Sequence, residues 1–426
     1  MRSFQVLLLV LGGLILPAAG GVAYWGYRTS PEQTLRRGLA QLDQGLAEEA
    51  AAIAQSLDER GHPEPACLLR GEIWRRSGLA LASTPAAENS SEALLSPRAR
   101  DAFQRALAEF SRIKARDPLA VDSQVVGAEC LVRLGERRLA TEVLLAVVSR
   151  KPEHKEAHRW LAAIYIDLNS ADRAIEHLRA WGELEPANGR PYRWIGLFYK
   201  DAKRPDEAIA AYQEALRRDL EPALRAAVVG EYAQSLMEFR GDYQEPLHLL
   251  AKLPDEQREQ PNLRMIEAQC LFGQGRKAEA ISAVDKVLQA MPDSVLALRF
   301  RAKIHLADDQ PQPALPLLEK AVRLDPNDVE TRQQLMHVYR QLGDTARADK
   351  EQRRLEETKN IWDQLTKLHE KAWRSPWDDQ VRCRLAELCL KVNKPAEARM
   401  WLTAALACNP ENQRAHELLQ QMRSER

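Results

Sequence analysis

HKEAH at residues 154–158 places His154 and His158 one helical turn apart, a spacing able to share a metal ion. The helical zinc-protease signature needs a glutamate directly after the first histidine, and Lys155 stands there instead. His158 also falls on an apolar-periodic position, which assigns it to packing. GQGRK (Gly273–Lys277) has the glycines and lysine of a phosphate loop without the GxxxxGK[ST] spacing, and no strand signal precedes it. The six cysteines, Cys67, Cys130, Cys270, Cys383, Cys389 and Cys408, form no CxxC pair and are too sparse for a disulfide framework. They read as small buried hydrophobes with free thiols. No GxSxG elbow occurs. The sequence therefore assigns no catalytic residue, no metal and no cofactor, and it points away from an enzyme.

The elements that would position any site come from the rest of the chain. At 426 residues it is too long for one ordinary core. Lys+Arg and Asp+Glu both number 61, so no excess of cations argues for nucleic acid as a partner. The N-terminus differs in kind, because VLLLVLGGLIL (Val6–Leu16) is unbroken apolar sequence. One reading is a signal peptide ending near Pro17 with AAG as the cleavage site. The other is a single-pass anchor over residues 4–25, with Tyr24, Trp25 and Tyr27 at the interface. The anchor is preferred because VAYWGY is an odd start for a mature soluble protein. Localisation is accordingly expected at a membrane, or exported after cleavage. The membrane side is not assigned.

Beyond Ser30 the chain repeats itself every 34 residues. KEAHRWLAAIYIDLNSADRAIEHLRAWGELEP (155–186) aligns with the stretch from Gly189 to Asp219. Leu161 meets Ile195, Tyr165 meets Tyr199, Ala174 meets Ala208 and Leu178 meets Tyr212. Further frames start at Val121, Ala227, Pro261, Val295, Val329 and Asp379. Each unit reads as two amphipathic helices. Gly or Ala at positions 8, 20 and 27 lets the pair approach closely, and Pro closes the unit. No unit buries its own apolar face, so stacked neighbours supply the core.

This pattern resembles the tetratricopeptide repeat (TPR), large–x2–Leu–Gly/Ala–x2–Tyr, then Ala–x3–Phe/Tyr–x2–Ala, then Pro. The departures are the first aromatic, replaced by His158, Tyr192 or Leu298, and Pro246 in place of an alanine. The resemblance implies an all-α, right-handed TPR-type α-solenoid of antiparallel helix pairs behind the N-terminal transmembrane helix or signal sequence. Its expected divisions are 1–30 anchor or signal and 31–120 TPR-like units, with a loop at about 81–97 that holds a sequon at Asn89. Strict TPR units follow at 121–222, a second register block at 227–362, a helical insertion at 363–378, a final unit at 379–412 and a capping helix at 413–426. The single apolar stripe of residues 345–375 fits packing on the following unit or a dimer seam. Oligomeric state is not assigned.

In the TPR family the first helix of each unit lines a concave groove. Position 6 down the array reads Val126, Trp160, Trp194, Tyr232, Ile266, Phe300 and Gln334. The resemblance thus implies a partner-binding row of Trp160, Trp194, Tyr232 and Phe300. Arg159, Arg190, Arg193, Lys200, Arg299 and Lys303 edge it. The competing reading is that the rings pack between adjacent first helices. The expected function is a non-enzymatic, membrane-anchored scaffold holding a partner protein or peptide in the groove, similar to bacterial single-pass TPR proteins of envelope machinery. Alternatives are an auxiliary subunit of an envelope enzyme or secretion or biogenesis machine, or an exported TPR protein. The carboxylate clamp of TPR co-chaperones is not recognisable, since its ninth position holds Ala163, Leu197, Ser235, Gln269 and Lys303.

Overall fold

A computed structural model describes residues 30–82 and 95–424 of the chain. Among them are 22 helices and no strand. The described helices group into two compact units that divide between Trp160 and Leu161. In the first lie α1 (Pro31–Asp43), α2 (Ala47–Glu59), α3 (Pro63–Ala82), α4 (Pro97–Ser111), α5 (Ala120–Leu134) and α6 (Arg137–Arg150). Helix α7 (Lys155–Asp167) carries the chain into the second. There follow α8 (Ala171–Leu184), α9 (Arg190–Asp201), α10 (Pro205–Leu216), α11 (Pro222–Arg240), α12 (Gln244–Ala251) and α13 (Asp255–Arg258). Next are α14 (Pro261–Gly273), α15 (Lys277–Ala290), α16 (Val295–Leu306), α17 (Pro311–Leu324) and α18 (Val329–Gln341). The last are α19 (Thr345–Arg374), α20 (Asp379–Lys391), α21 (Pro395–Cys408) and α22 (Gln413–Ser424).

The all-α solenoid is observed, but the single-pass anchor is a correction. Among the described residues no helix is long and apolar enough to cross a membrane. The amphipathic helices that stack into a solenoid keep a charged face, which hydrocarbon would not accept. The apolar segment at residues 4–25 and the sequon at Asn89 lie outside the described residues.

The alternation of small and large residues acts within a helix pair and between one pair and the next. A Cβ added to Gly196 on α9 would lie 2.6 Å from the Tyr212 ring on α10, and one on Gly182 would lie 2.7 Å from Tyr192. In the first unit, Gly78 is equally closed by Phe103, at 2.9 Å. The turn inside each pair has its own rule. The fifteenth residue of the frame is left-handed in Gly135, Asn169, Lys203, Gly241, Gly275, Asp309, Gly343 and Asn393. This is the conformation that ends a helix most simply. Gly275 of the GQGRK stretch is one of these turn residues and not part of a phosphate cradle.

Irregular frames are absorbed by helix length. The four residues inserted before Ala227 extend α11 at its N-terminus, and Pro246 sits in the first turn of the short α12, where proline costs no ladder bond. The stretch lacking proline at position 360 is one 30-residue helix, α19. Its second half packs Leu365 and Ala372 into a core with Leu385, Trp401, Leu402 and Leu418, so this stripe is buried on the following unit.

Candidate protein-interaction groove

The first helix of a pair presents its apolar stripe to the second helix and to its neighbours. What remains is a narrow face that carries the residues expected to meet a partner. On α9 this face holds Arg190, Arg193, Trp194, Leu197 and Lys200. Trp194 and Leu197 are half-buried, and Ile195, Gly196, Phe198 and Tyr199 turn into the core. Trp194 lies 6.4 Å from the Phe198 ring, centre to centre, with the Arg193 guanidinium 5.7 Å from its own centre. At the end of the first unit, Trp160 is likewise half-buried, with Arg159 over it at 5.6 Å and Arg159 paired to Glu156 at 2.5 Å.

The other two rings of the row are not on the face. Tyr232 is 1% exposed and Phe300 6% exposed. Tyr232 stacks obliquely on Tyr212 at 6.4 Å, accepts a hydrogen bond from the Gln213 amide and donates one to Glu245, each at 2.8 Å. Burial, reinforced by Glu245, pushes its phenol up to about 12. Phe300 stands edge-on to Phe272 at 5.7 Å. For these two the packing reading describes the geometry, as it does for Ile266 at 3% exposure.

The cations are already engaged. Arg193 donates to both carboxylate oxygens of Glu231 on α11, at 2.6–3.1 Å. Lys200 donates to Gln234 at 3.0 Å and Lys203 to Glu238 at 2.8 Å. Arg190 pairs with Glu221. Further along, Arg299 on α16 reaches Asp328 and Glu330 at the start of α18. Burial raises the Asp328 carboxyl, but the Thr331 hydroxyl and Arg299 more than offset it and hold the group below the usual carboxylate range. Asp328 also caps α18 by accepting from the Thr331 amide at 3.1 Å. Lys303 is exposed on the same helix as Arg299. The neighbouring first helices α9 and α11, and α16 and α18, are therefore joined by paired charges. The signal was present in the sequence, since partners such as Lys200 and Gln234 lie one repeat apart.

The position of the missing first aromatic has a shared substitute. His158 hydrogen-bonds the Pro152 carbonyl at 2.8 Å, His416 bonds the Pro410 carbonyl at 2.8 Å, and Arg332 donates to the Pro326 carbonyl. A polar side chain six residues after the closing proline plugs the unit junction. The two histidines of HKEAH serve separate contacts, because His154 faces Asp122 at 3.3 Å. Among the described residues no group of three or more His, Cys, Asp or Glu side chains could hold a metal ion. Burial pushes the thiols of Cys130 and Cys270 up to about 12 and those of Cys383 and Cys389 up to about 11, which suppresses the thiolate a nucleophile needs.

A second concavity escaped the sequence. Where α19 outruns its pair, a cavity of about 920 Å³ opens between α18, α19 and the turn after α20. Met336, Leu355, Trp362 and Val392 line it, with Arg340 and Lys359 at its edge. The Trp362 indole N–H is buried with no acceptor, and Lys394 lies 4.7 Å from its ring centre.

Family models for the tetratricopeptide repeat match residues 127–189 and 190–222. A model described as ChAPs (Chs5p-Arf1p-binding proteins) matches residues 230–350. Among curated proteins, DnaJ homolog subfamily C member 3 of Gallus gallus is 23% identical over 261 residues, 61% of this chain and 47% of that protein. Its Bos taurus counterpart is 23% identical over 224 residues, 52% of this chain and 40% of the relative. The chain thus spans less than half the length of these relatives. Among solved structures, YrrB, described as a TPR protein with an unusual peptide-binding site, is 19% identical. It covers 45% of this chain and 96% of its own, at a TM-score of 0.37. PilF of Pseudomonas aeruginosa is 19% identical and covers 50% and 95%, at 0.40. Human IFIT1 with PPP-AAAA is 14% identical and covers 89% and 90%, at 0.39.

Proposed function

This chain is a tetratricopeptide-repeat protein, and from that premise we propose that it is a non-enzymatic scaffold whose second unit holds a segment of a partner protein against the exposed face of its first helices. The observation that carries the reading is the α9 face. A large aromatic, Trp194, stays half-buried beside Leu197 although Ile195, Phe198 and Tyr199 of the same helix are in the core. Solvent contact by an indole that could have been packed is what an interaction hot spot looks like before its partner arrives. Its charged surroundings are fixed by the Arg193–Glu231 fork, so the face is held rigid and loses little order on binding. An extended peptide or one helical face would span this width.

The test uses a displayed library of random peptides panned on the full chain. Enriched peptides should lose tenfold or more in affinity to Trp194→Ala, a hot-spot-sized loss of about 2 kcal/mol or more, and to Leu197→Glu, with helicity unchanged. Enriched peptides that bind both variants as well as the parent would place the partner surface elsewhere.

A further inference from the structure

The second unit comes back on itself. The Ser170 hydroxyl, in the turn between α7 and α8, donates to the Trp373 carbonyl at the end of α19, 3.2 Å away and 203 residues on. The Arg382 guanidinium on α20 donates to the carbonyl of Leu168, 214 residues back. The internal repeat supplies the control for what this contact does. Leu168 and Ser170 are 0% exposed. The residues at the same two frame positions are exposed or half-exposed in three other units: Ala202 and Arg204, Gln274 and Arg276, Asp308 and Gln310. Val392 of the last unit is buried too, at 1%, but within its own unit's core. The turn is buried because the far end of the array covers it. What brings that end within reach is the extension of α19. Its residues beyond an ordinary second helix, about sixteen, add roughly 24 Å at 1.5 Å per residue before α20 begins.

The chemistry of the contact is that of something made to release. Arg382 is itself 0% exposed, yet its acceptors are all neutral carbonyls: Leu168, Ser375 at 3.1 Å and Asp378 at 3.0 Å. Its Nε–H is buried with no acceptor. Among the described residues no carboxylate makes an ion pair with it, and Asp378 and Asp379 act on it only at longer range. Arg332, at the same frame position one unit earlier, is buried too but has Glu351 as its counter-ion. A buried cation with no carboxylate in contact is costly, and water would solvate both it and the orphaned N–H on opening. Burial correspondingly holds this guanidinium's pKa below the ordinary arginine value.

We propose that the Arg382–Leu168 and Ser170–Trp373 contacts are a clasp that closes residues 161–426 into a bounded turn, and that the unit opens by releasing it. The closed form sets how much of the first-helix face is reachable. The open form admits a bulkier segment than the closed one. The clasp does not depend on the binding site proposed above, and its test needs no partner.

Spin labels on a ketone-bearing amino acid at exposed Arg173 (α8) and Glu370 (α19) of the full chain report the span across the clasp by double electron–electron resonance. The parent should give one narrow, short distance. Arg382→Met removes the donor from one side. Ser170→Trp wedges the fully buried turn from the other and leaves α20–α22 untouched. Both variants should lengthen and broaden the distribution, with circular dichroism unchanged for Ser170→Trp. If Arg382→Met unfolds the last helices, Ser170→Trp alone decides. An unchanged narrow distance in Ser170→Trp, or a long and broad one already in the parent, overturns the proposal.

Discussion

Gly196→Ala and Gly127→Ala are the same chemical change in the middle of a helix, and the structure gives them opposite signs. In an open helix interior alanine is favoured over glycine by about 1 kcal/mol. At Gly196 the new methyl would sit 2.6, 2.8 and 2.9 Å from three carbons of the Tyr212 ring, where carbon atoms rest at about 3.5–4.0 Å. The ring is 0% exposed and lies against Tyr232, so it has nowhere to swing. Nearly 1 Å of separation has to come from the helix pair, and overpacking of this kind costs about 1–3 kcal/mol. With three ring atoms engaged the upper half of that range applies, which leaves a net loss of about 1–2 kcal/mol after the propensity gain. At Gly127 the nearest atom, Leu107 Cδ2, is 3.6 Å away, ordinary contact, so the propensity gain survives. Because repeat arrays unfold unit by unit, the assay is native-state hydrogen exchange resolved by helix. Amides of α9 and α10 should lose about tenfold in protection in Gly196→Ala, and those of α5 should gain in Gly127→Ala. Equal signs for the two variants would refute the close-approach account.

The Tyr212 hydroxyl is buried without a partner. Tyr212→Phe is expected to leave the α9–α10 pair as stable or to stabilise it by about 1 kcal/mol, measured by the same exchange experiment. Five cysteines are buried and Cys408 half-exposed, and none is in a disulfide. A thiol reagent at pH 8 should therefore modify at most Cys408 in the folded chain and all six in denaturant, read by peptide mass. The folded-state pKa of Asp328 is depressed, so its contribution is present above the unfolded-state value and is lost as pH falls through the folded one, below about 4. Urea midpoints between pH 6 and 3 should fall less steeply in Asp328→Asn than in the parent.

The repeat was legible because every unit makes the same demand. A helix pair that must approach closely needs Gly196 opposite Tyr212 wherever the pair sits, so the pattern survives sequence drift. Turn position 15 was half legible: Gly275 reads as a turn, whereas Lys203 in the same left-handed conformation gives no sign in composition. The groove row was less legible. Trp194 and Tyr232 occupy one frame position, but α11 is five residues longer at its start and Gln213 and Glu245 draw the Tyr232 hydroxyl inward, so one ring is half-buried and the other is core. The cations were read one at a time, although their counter-ions lie a repeat away, as Arg193 and Glu231 show. Arg382 shares the frame position of His158 and Arg332, which are buried too, so its burial follows the repeat. Its contact with Leu168, 214 residues earlier, is what no local pattern encodes.

The central claim is that a partner segment lies on the first helices of the second unit. A hydrogen-exchange footprint of the full chain with a saturating panned peptide tests it most directly. The account predicts slowed exchange in Arg190–Asp201 and Pro222–Arg240, with little change in Pro205–Leu216 behind them. Protection confined to Pro205–Leu216 and the other second helices, with the two first helices unchanged, would contradict it.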